Sequence, residues 1–156
     1  MIYIIGSGFS GLTTAYALTL LGKQVSIISP QEQFTKKNFS LIKYLFKRSG
    51  EIQNNLEEHY RMINSAIQND VQLIIFPELS ITGYCRTEGQ KLAFTERDEK
   101  LNTLQELSDK GNIITIAGAP VKIEDKLYIG SFIICPHQQI QIYTKQYLHG
   151  EEQLFY

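Results

Sequence analysis

The feature that most constrains the fold is a short apolar run that ends at a proline and is followed at once by a carboxylate. The run reads Val-Gln-Leu-Ile-Ile-Phe over 71–76, then Pro77 and Glu78. A short apolar segment bounded by turn-forming residues is typical of a buried strand. In α/β proteins, ligands bind at the carboxyl ends of parallel strands. The pattern predicts that Glu78 is functional; the alternative is a loop carboxylate that pairs with a cation or caps a turn.

The composition favours a folded protein and argues against several partners. The chain has 156 residues, of which 43% are hydrophobic and 20% charged, so a packed core is expected. The net charge is −1, and no basic block is present. Nucleic acid and anionic membranes are therefore not predicted as partners.

Targeting and cysteine patterns predict a cytoplasmic protein. The apolar N-terminus lacks a basic segment and is interrupted by glycines, unlike a signal peptide. No apolar run reaches the roughly 20 residues that a membrane helix needs. The two cysteines, Cys85 and Cys135, have no metal-ligand spacing, so no metal site is predicted. They favour a reducing compartment.

The first segment of the chain has the pattern of a βαβ unit. A strand over 2–5, a glycine turn, an apolar helix over 12–21 and a strand over 25–29 follow one another. This is the context that a G-x-G-x-x-G motif requires. Gly6 permits the tight turn, Gly8 admits a pyrophosphate, and Gly11 lets helix and strand pack closely. The segment resembles the opening of flavin-dependent oxidoreductases and other dinucleotide-binding proteins, which implies FAD or NAD as a cofactor.

Two features depart from that resemblance. Ser29 and Pro30 stand where an acid should hold the ribose hydroxyls. A single βαβ unit also does not form the crevice between two halves that a dinucleotide occupies. The alternative is a structural βαβ unit, or a piece joined from another gene. A polar stretch over 30–38 then predicts a boundary, with a Rossmann-like fragment at 1–34 and a second unit at 38–156.

The second unit reads as alternating strands and helices, which predicts an α/β fold. A strand is predicted at 39–46, then a helix that starts near Gly50. The helix buries Leu56, Tyr60, Ile63 and Ile67 at helical spacing. Its polar side is predicted to carry Glu57, Glu58, His59 and Arg61. Later elements are a polar loop at 85–98 that could line a substrate pocket, a helix at 101–111, a strand at 112–117 and paired antiparallel strands at 126–135 and 139–143.

Four segments in order resemble the nitrilase superfamily of carbon–nitrogen hydrolases. They are the helix entry at 50–55, Phe-Pro-Glu-Leu-x-x-x-Gly-Tyr at 76–84, Ala-Gly-Ala-Pro at 117–120 and Tyr-x-Lys-x-x-Leu at 143–148. The resemblance covers 38–156 and corresponds to the N-terminal half of that domain. It implies part of an α-β-β-α sandwich, preceded here by the βαβ unit.

The resemblance also implies a chemistry. The family uses a Glu-Lys-Cys triad on amides or nitriles, without a cofactor. Glu78 matches the general base, and Lys145 matches the cation that stabilises the oxyanion. Glu152 matches a second glutamate that positions the substrate, with Glu151 as the neighbouring candidate. A surface lysine after a strand is the alternative for Lys145.

The nucleophile is missing from this pattern. The family places its cysteine well after the lysine, whereas eleven residues follow Lys145 and none is cysteine. Cys135 precedes Lys145 in a strand, and Cys85 lies in a loop. We therefore expect a fragment with no turnover alone that forms a homo-oligomer or joins a complementary half. The alternatives are a fragment of an FAD- or NAD-binding oxidoreductase and a non-catalytic interaction fragment.

Overall fold

The computed structural model describes residues 2–5, 25–28, 49–85 and 88–156, and it shows a mixed α/β fold. The predicted fold class is confirmed. In chain order the elements are β1 Ile2–Ile5, β2 Val25–Ile28, α1 Ile52–Gln68, β3 Leu73–Ile75, α2 Gly89–Leu92, a 3-10 turn Glu99–Leu101, α3 Asn102–Gly111, β4 Ile114–Ile123, β5 Lys126–Ile134, β6 Gln141–Thr144 and a 3-10 turn Glu152–Leu154.

The strands form one six-stranded sheet in the order β2-β1-β3-β4-β5-β6. The first four strands in this order run parallel, and β4, β5 and β6 are antiparallel neighbours. Ile4 of β1 lies opposite Ile75 of β3, so strands from the N-terminal segment continue the sheet of the second unit. The predicted glycine turn, the helix at 12–21, the boundary at 30–38 and the strand at 39–46 lie outside the described residues.

The helices α1 and α3 pack against each other and share one core with the strands. Helical spacing correctly predicts the buried face of α1. Leu56 and Ile63 are buried, and Tyr60 and Ile67 pack against the core while partly exposed. Strand side chains complete this core, among them Ile74, Ala117, Val121, Phe132 and Ile134. The helices packed on the sheet correspond to the part of an α-β-β-α sandwich that the resemblance implied.

The prediction that His59 lies on the polar side of α1 is wrong. The side chain is fully buried, with 0% of its surface exposed. The reason is helical geometry, because a residue three after Leu56 and four before Ile63 shares their face. A histidine at such a position needs hydrogen-bond partners inside the protein.

The strand β4 is longer than predicted and runs through Pro120. Its neighbour β3 ends at Ile75, whereas β4 continues to Ile123 along β5. Proline is tolerated in a strand where its missing N–H removes no ladder bond. On the side of β4 away from β5, Phe94 donates its N–H to the Pro120 carbonyl at 2.8 Å, and Lys122 donates to the Phe94 carbonyl at 2.8 Å. Phe94 thus covers part of the edge that β3 leaves open.

Among the described residues, no helix has the length and apolar character that crossing a bilayer requires.

Candidate active site

Glu78 lies in a tight loop that follows β3 and rests on β4. The Phe76 N–H donates to the Ile116 carbonyl at 2.8 Å, which is the last step of the parallel pairing. Leu79 then adopts a left-handed conformation with φ of 53°, and Gly83 has φ of 69°. The Gly83 N–H closes the loop by donating to the Leu79 carbonyl at 2.7 Å. These turns direct the Glu78 carboxylate to the carboxyl edge of the sheet.

Gly118 of β4 allows this loop to approach closely. A Cβ atom added at Gly118 would lie 2.6 Å from the Leu79 backbone nitrogen and 3.2 Å from the Glu78 Cα. The contacting atoms are backbone atoms, which have little freedom to move aside. The loop that carries Glu78 therefore sits directly on the backbone of β4.

The structure brings Glu78, Lys145 and Glu152 together. Lys145 directly follows β6, and its N–H donates to the Ile129 carbonyl at 2.9 Å. The Lys145 Nζ lies 3.2 Å from Glu78 Oε2 and 2.9 Å from Glu152 Oε1. The three side chains are 34%, 22% and 18% exposed for Glu78, Lys145 and Glu152 respectively, so one face of the cluster reaches solvent. One ammonium group thus bridges two carboxylates.

Glu152 is held in place by its own turn. Its Oε2 accepts a hydrogen bond from the His149 N–H at 2.8 Å, while its Oε1 accepts one from Lys145. The neighbouring Glu151 is exposed and lines a small cavity next to Glu152. Of the two candidates that the sequence left open, Glu152 is the one that contacts Lys145 in the structure.

The pKa values of Lys145 and Glu152 both move towards the charged form. Burial lowers the pKa of Lys145, but hydrogen bonds to Glu152 and Glu78 and their negative charges outweigh it, so the net change is a rise. Burial raises the pKa of Glu152, but the His149 N–H and the Lys145 ammonium outweigh it, so the net change is a fall. Opposite charges at this distance have that effect on each other. The cluster presents a lysine that is firmly protonated at neutral pH.

Tyr84 also belongs to the site. Its hydroxyl donates to Glu78 Oε1 at 2.8 Å. Burial, and then the hydrogen bond to Glu78, raise the pKa of Tyr84, so the phenol stays protonated as the donor. Tyr84 ends the motif at 76–84, and the motif alone predicts no role for it. The signal was Gly83, whose positive φ turns the chain so that the next side chain returns to Glu78.

A cavity of about 280 Å³ opens beside Glu78 and Lys145. Its other lining includes Ile129 and Ser131 from β5, together with Tyr143 and Tyr147, which are 56% and 89% exposed. An acid–base pair next to exposed aromatic rings suits a small organic ligand.

The two cysteines lie in different places. Cys135 follows β5 and is six residues beyond Ile129, whose carbonyl binds the Lys145 N–H. Six strand residues span roughly 20 Å, so Cys135 is far from the cluster. Cys85 lies nearer and lines a small cavity with Tyr84 and Glu152, but its thiol contacts Glu88 Oε2 at 3.7 Å.

Other predicted site residues have different outcomes. Gly6, Gly8 and Gly11 lie outside the described residues, as does Arg86 of the predicted pocket loop. Glu96 and Arg97, later in that loop, line a separate cavity with Gln105 and Ile140. Within the described ranges, no group of three acidic, histidine or cysteine side chains is arranged to hold a metal ion.

The fold and the cluster define a mixed α/β protein with a carboxylate–ammonium site at the carboxyl edge of its sheet. The family model described as carbon-nitrogen hydrolase matches residues 41–154, and the chain belongs to this family. A second model, described as pyridine nucleotide-disulphide oxidoreductase, matches residues 1–48. The two matches coincide with the two resemblances found in the sequence. A comparison with curated proteins gave no match.

Solved structures share the fold. A CN-hydrolase superfamily protein from Xanthomonas campestris is 17% identical with a TM-score of 0.63, covering 70% of this chain and 41% of its own. Nit3 of Saccharomyces cerevisiae, a member of branch 10 of the nitrilase superfamily, is 23% identical with a TM-score of 0.61, covering 69% and 44%. An N-terminal amidase is 24% identical with a TM-score of 0.58, covering 69% and 27%. This chain thus spans less than half the length of each of these structures.

Proposed function

We propose that this chain carries the general-base and oxyanion-stabilising part of an amidohydrolase site for non-peptide C–N bonds, in an amide or a nitrile. The observation that carries the proposal is the Lys145 ammonium, which bridges Glu78 and Glu152 at 3.2 and 2.9 Å beside an open cavity. Membership of the carbon–nitrogen hydrolase family supports the same reading.

Each member of the cluster has a distinct role in this proposal. Glu78 takes the proton from a thiol nucleophile, which then attacks the substrate carbon. Lys145 donates to the oxygen or nitrogen that becomes negative in the tetrahedral intermediate. With an amide substrate, Glu78 returns its proton to the leaving amine and then activates the water that releases the acyl group. Glu152 holds Lys145 charged, and Tyr84 fixes one oxygen of Glu78.

The nucleophile in this proposal comes from outside residues 49–156. Cys135 lies roughly 20 Å along the sheet from the cluster. The Cys85 thiol contacts Glu88 rather than the general base. A complementary half would supply the cysteine, and the chain alone would not turn over.

Chemical rescue tests this proposal. The purified chain, incubated with small amides and nitriles, is expected to release no ammonia above background. A small thiol such as cysteamine, added with an activated amide, should restore slow thiolysis, because Glu78 can deprotonate a thiol in the cavity. A positioned general base contributes about 100-fold or more in complete sites, and an untethered thiol should show only part of this. Product formation is followed by chromatography.

Four variants decide the outcome. Glu78→Gln and Lys145→Met should remove the thiol-dependent rate, whereas Glu124→Gln, an exposed acid in the β4–β5 turn, should not. A thiol-dependent rate that survives Glu78→Gln would contradict the assigned base. Turnover without added thiol that Cys85→Ala abolishes would show that the chain has its own nucleophile.

Dinucleotide binding by the N-terminal segment is a second candidate. The strand order places β1 between β2 and β3, so the direction of winding changes between β1 and β3. Dinucleotides bind in the crevice at such a switch point, outside the carboxyl ends of the strands. The described strands therefore fit a cofactor better than an isolated βαβ unit would. Gly6, Gly8 and Gly11 would hold the pyrophosphate.

Titration with FAD and with NADH tests this second candidate. Binding should appear as a change in flavin or nicotinamide fluorescence that Gly8→Val abolishes, since a side chain there blocks the approach of the phosphates. Gly150→Ala is the matched control, because a Cβ at Gly150 has no neighbour within 4 Å. Unchanged fluorescence at millimolar nucleotide would rule the candidate out.

A further inference from the structure

The buried His59 has a defined tautomer. Its Nδ1 lies 2.7 Å from the Asn55 carbonyl oxygen, and its Nε2 lies 2.9 Å from Ser80 Oγ. A carbonyl only accepts, so the Nδ1 carries the hydrogen and the Nε2 of the neutral ring is an acceptor. The Ser80 hydroxyl must then donate to His59. Burial is the main cause of a fall in the pKa of His59 to about 4, which keeps the ring neutral.

Ser80 connects His59 to β4 through hydrogen bonds. Its Oγ accepts a hydrogen bond from the Gly118 N–H at 3.3 Å, and the Ile81 N–H donates to the Gly118 carbonyl at 2.9 Å. Both polar groups of Gly118 face the side that β3 vacates when it ends at Ile75. The Ser80 hydroxyl takes the place of a strand carbonyl there. Because His59 accepts the Ser80 hydrogen, a lone pair of Ser80 is left to face Gly118.

The same loop segment contains Glu78. Leu79 separates Glu78 from Ser80 and adopts a positive φ, which costs free energy in a branched residue and persists only when its surroundings enforce it. On the far side, Asn55 Nδ2 donates to the Ile81 carbonyl at 2.9 Å. Two side chains of α1 thus bond to the segment that follows Glu78: His59 contacts the Ser80 hydroxyl, and Asn55 contacts the Ile81 carbonyl.

We propose that His59 is a positioning residue for Glu78, acting through Ser80 and Gly118. The chain of hydrogen bonds, His59 to Ser80 to Gly118, clamps the loop onto β4 and sets where the Glu78 carboxylate meets Lys145. His59 itself touches neither substrate nor reacting atoms. The importance of that carboxylate rests on the proposed function. The hydrogen bonds that clamp the loop onto β4, by contrast, can be measured without any turnover.

Burial, rather than a neighbouring charge, determines the protonation state of His59. On its own helix, Glu58 is the charged group that acts on it, and this raises the pKa. From the Glu78 loop, the ring meets Ser80 and the face of Phe76, at 4.1 Å between ring centroids. From β4, the group at the end of the relay is the Gly118 backbone. These partners from the loop and from β4 are uncharged.

Two substitutions at His59 separate positioning from space filling. Gln places a side-chain oxygen where Nε2 lies, so His59→Gln keeps an acceptor for the Ser80 hydroxyl. Asn is too short to reach Ser80 and keeps only the position of Nδ1, so His59→Asn removes the acceptor. Ser80→Ala removes the next member while leaving His59 in place, and keeps the test decisive if His59→Asn does not fold.

The readouts are hydrogen exchange of the Gly118 amide and the NMR titration of Lys145, in the full chain. His59→Asn and Ser80→Ala should raise Gly118 exchange about tenfold, the effect of losing one net hydrogen bond. In both variants the pKa of Lys145 should fall towards its ordinary value as Glu78 withdraws. His59→Gln should stay within about twofold of the parent chain in Gly118 exchange.

Three results would overturn the proposal. Equal effects of Gln and Asn would make His59 a core residue without a relay. Faster Gly118 exchange with an unchanged Lys145 pKa would show that the clamp does not position Glu78. Unchanged exchange in Ser80→Ala would remove the middle step. Failure of thiol rescue, by contrast, would count against the proposed function alone.

Discussion

Gly118→Ala is expected to destabilise the folded chain by about 1–3 kcal/mol, the usual cost of forcing extra atoms into a packed site. The added Cβ would lie 2.6 Å from the Leu79 backbone nitrogen, a separation that such atoms do not adopt, so the loop has to move. The displacement passes directly to Glu78, whose Cα lies 3.2 Å from the same point. Loss of stability and loss of the contact between Glu78 and Lys145 should therefore appear together.

Urea unfolding checks this expectation. The midpoint should fall at unchanged slope, because the surface exposed on unfolding stays the same. Gly150→Ala is the matched control and should remain within about 0.5 kcal/mol of the parent chain. A Gly118→Ala variant with the parental midpoint would mean that the loop does not rest on β4 in solution.

The free energy of unfolding is expected to fall by about 3 kcal/mol as the pH drops from about 6.5 to about 4, because of His59. In the unfolded chain this ring takes up a proton near its ordinary pKa of 6.5, whereas burial lowers the pKa to about 4 in the folded chain. Between these values the unfolded state binds more protons, so stability rises with pH. The contribution is complete above the unfolded pKa and is lost as the pH falls through the window.

Urea unfolding at several pH values between 7.5 and 4 measures this slope. For His59→Gln, the slope of the free energy of unfolding against pH should be smaller by the contribution of one proton, because Gln does not titrate. Gly150→Ala removes no titrating group and should keep the slope of the parent chain. If His59→Gln and the parent chain lose stability in parallel, the buried histidine is not the group responsible.

The part of the site that depends on strand ends was predictable from sequence. Pro77 stops the pairing of β3 because it lacks an N–H, and the next side chain must leave the sheet at its carboxyl edge. Lys145 follows an antiparallel strand, and Pro136 and His137 mark the turn that precedes this strand in the sequence. The motifs placed these residues in order, and the structure brings them within hydrogen-bonding distance.

The part that depends on three-dimensional turns was not predictable. Gly83 marks a turn before Tyr84, but the positive φ of Leu79 has no signature in a leucine, so the contact of Tyr84 with Glu78 does not follow from the sequence alone. His59 was misplaced for another reason. Its spacing from Leu56 and Ile63 indicates burial, whereas its polar character favours the solvent side, and in the structure the spacing decides. Buried polar residues need partners, and Ser80 is distant in sequence.

The pairing of β1 with β3 has a consequence for how the two family segments could have been joined. The boundary between them in the chain is not a boundary in the sheet, because β3 has neighbours on both sides. The alignment of Ile4 with Ile75 has no freedom to shift, because a slip of one residue would turn every side chain of the strand to the opposite face. Any fusion of the two segments was therefore limited to joints that keep this register.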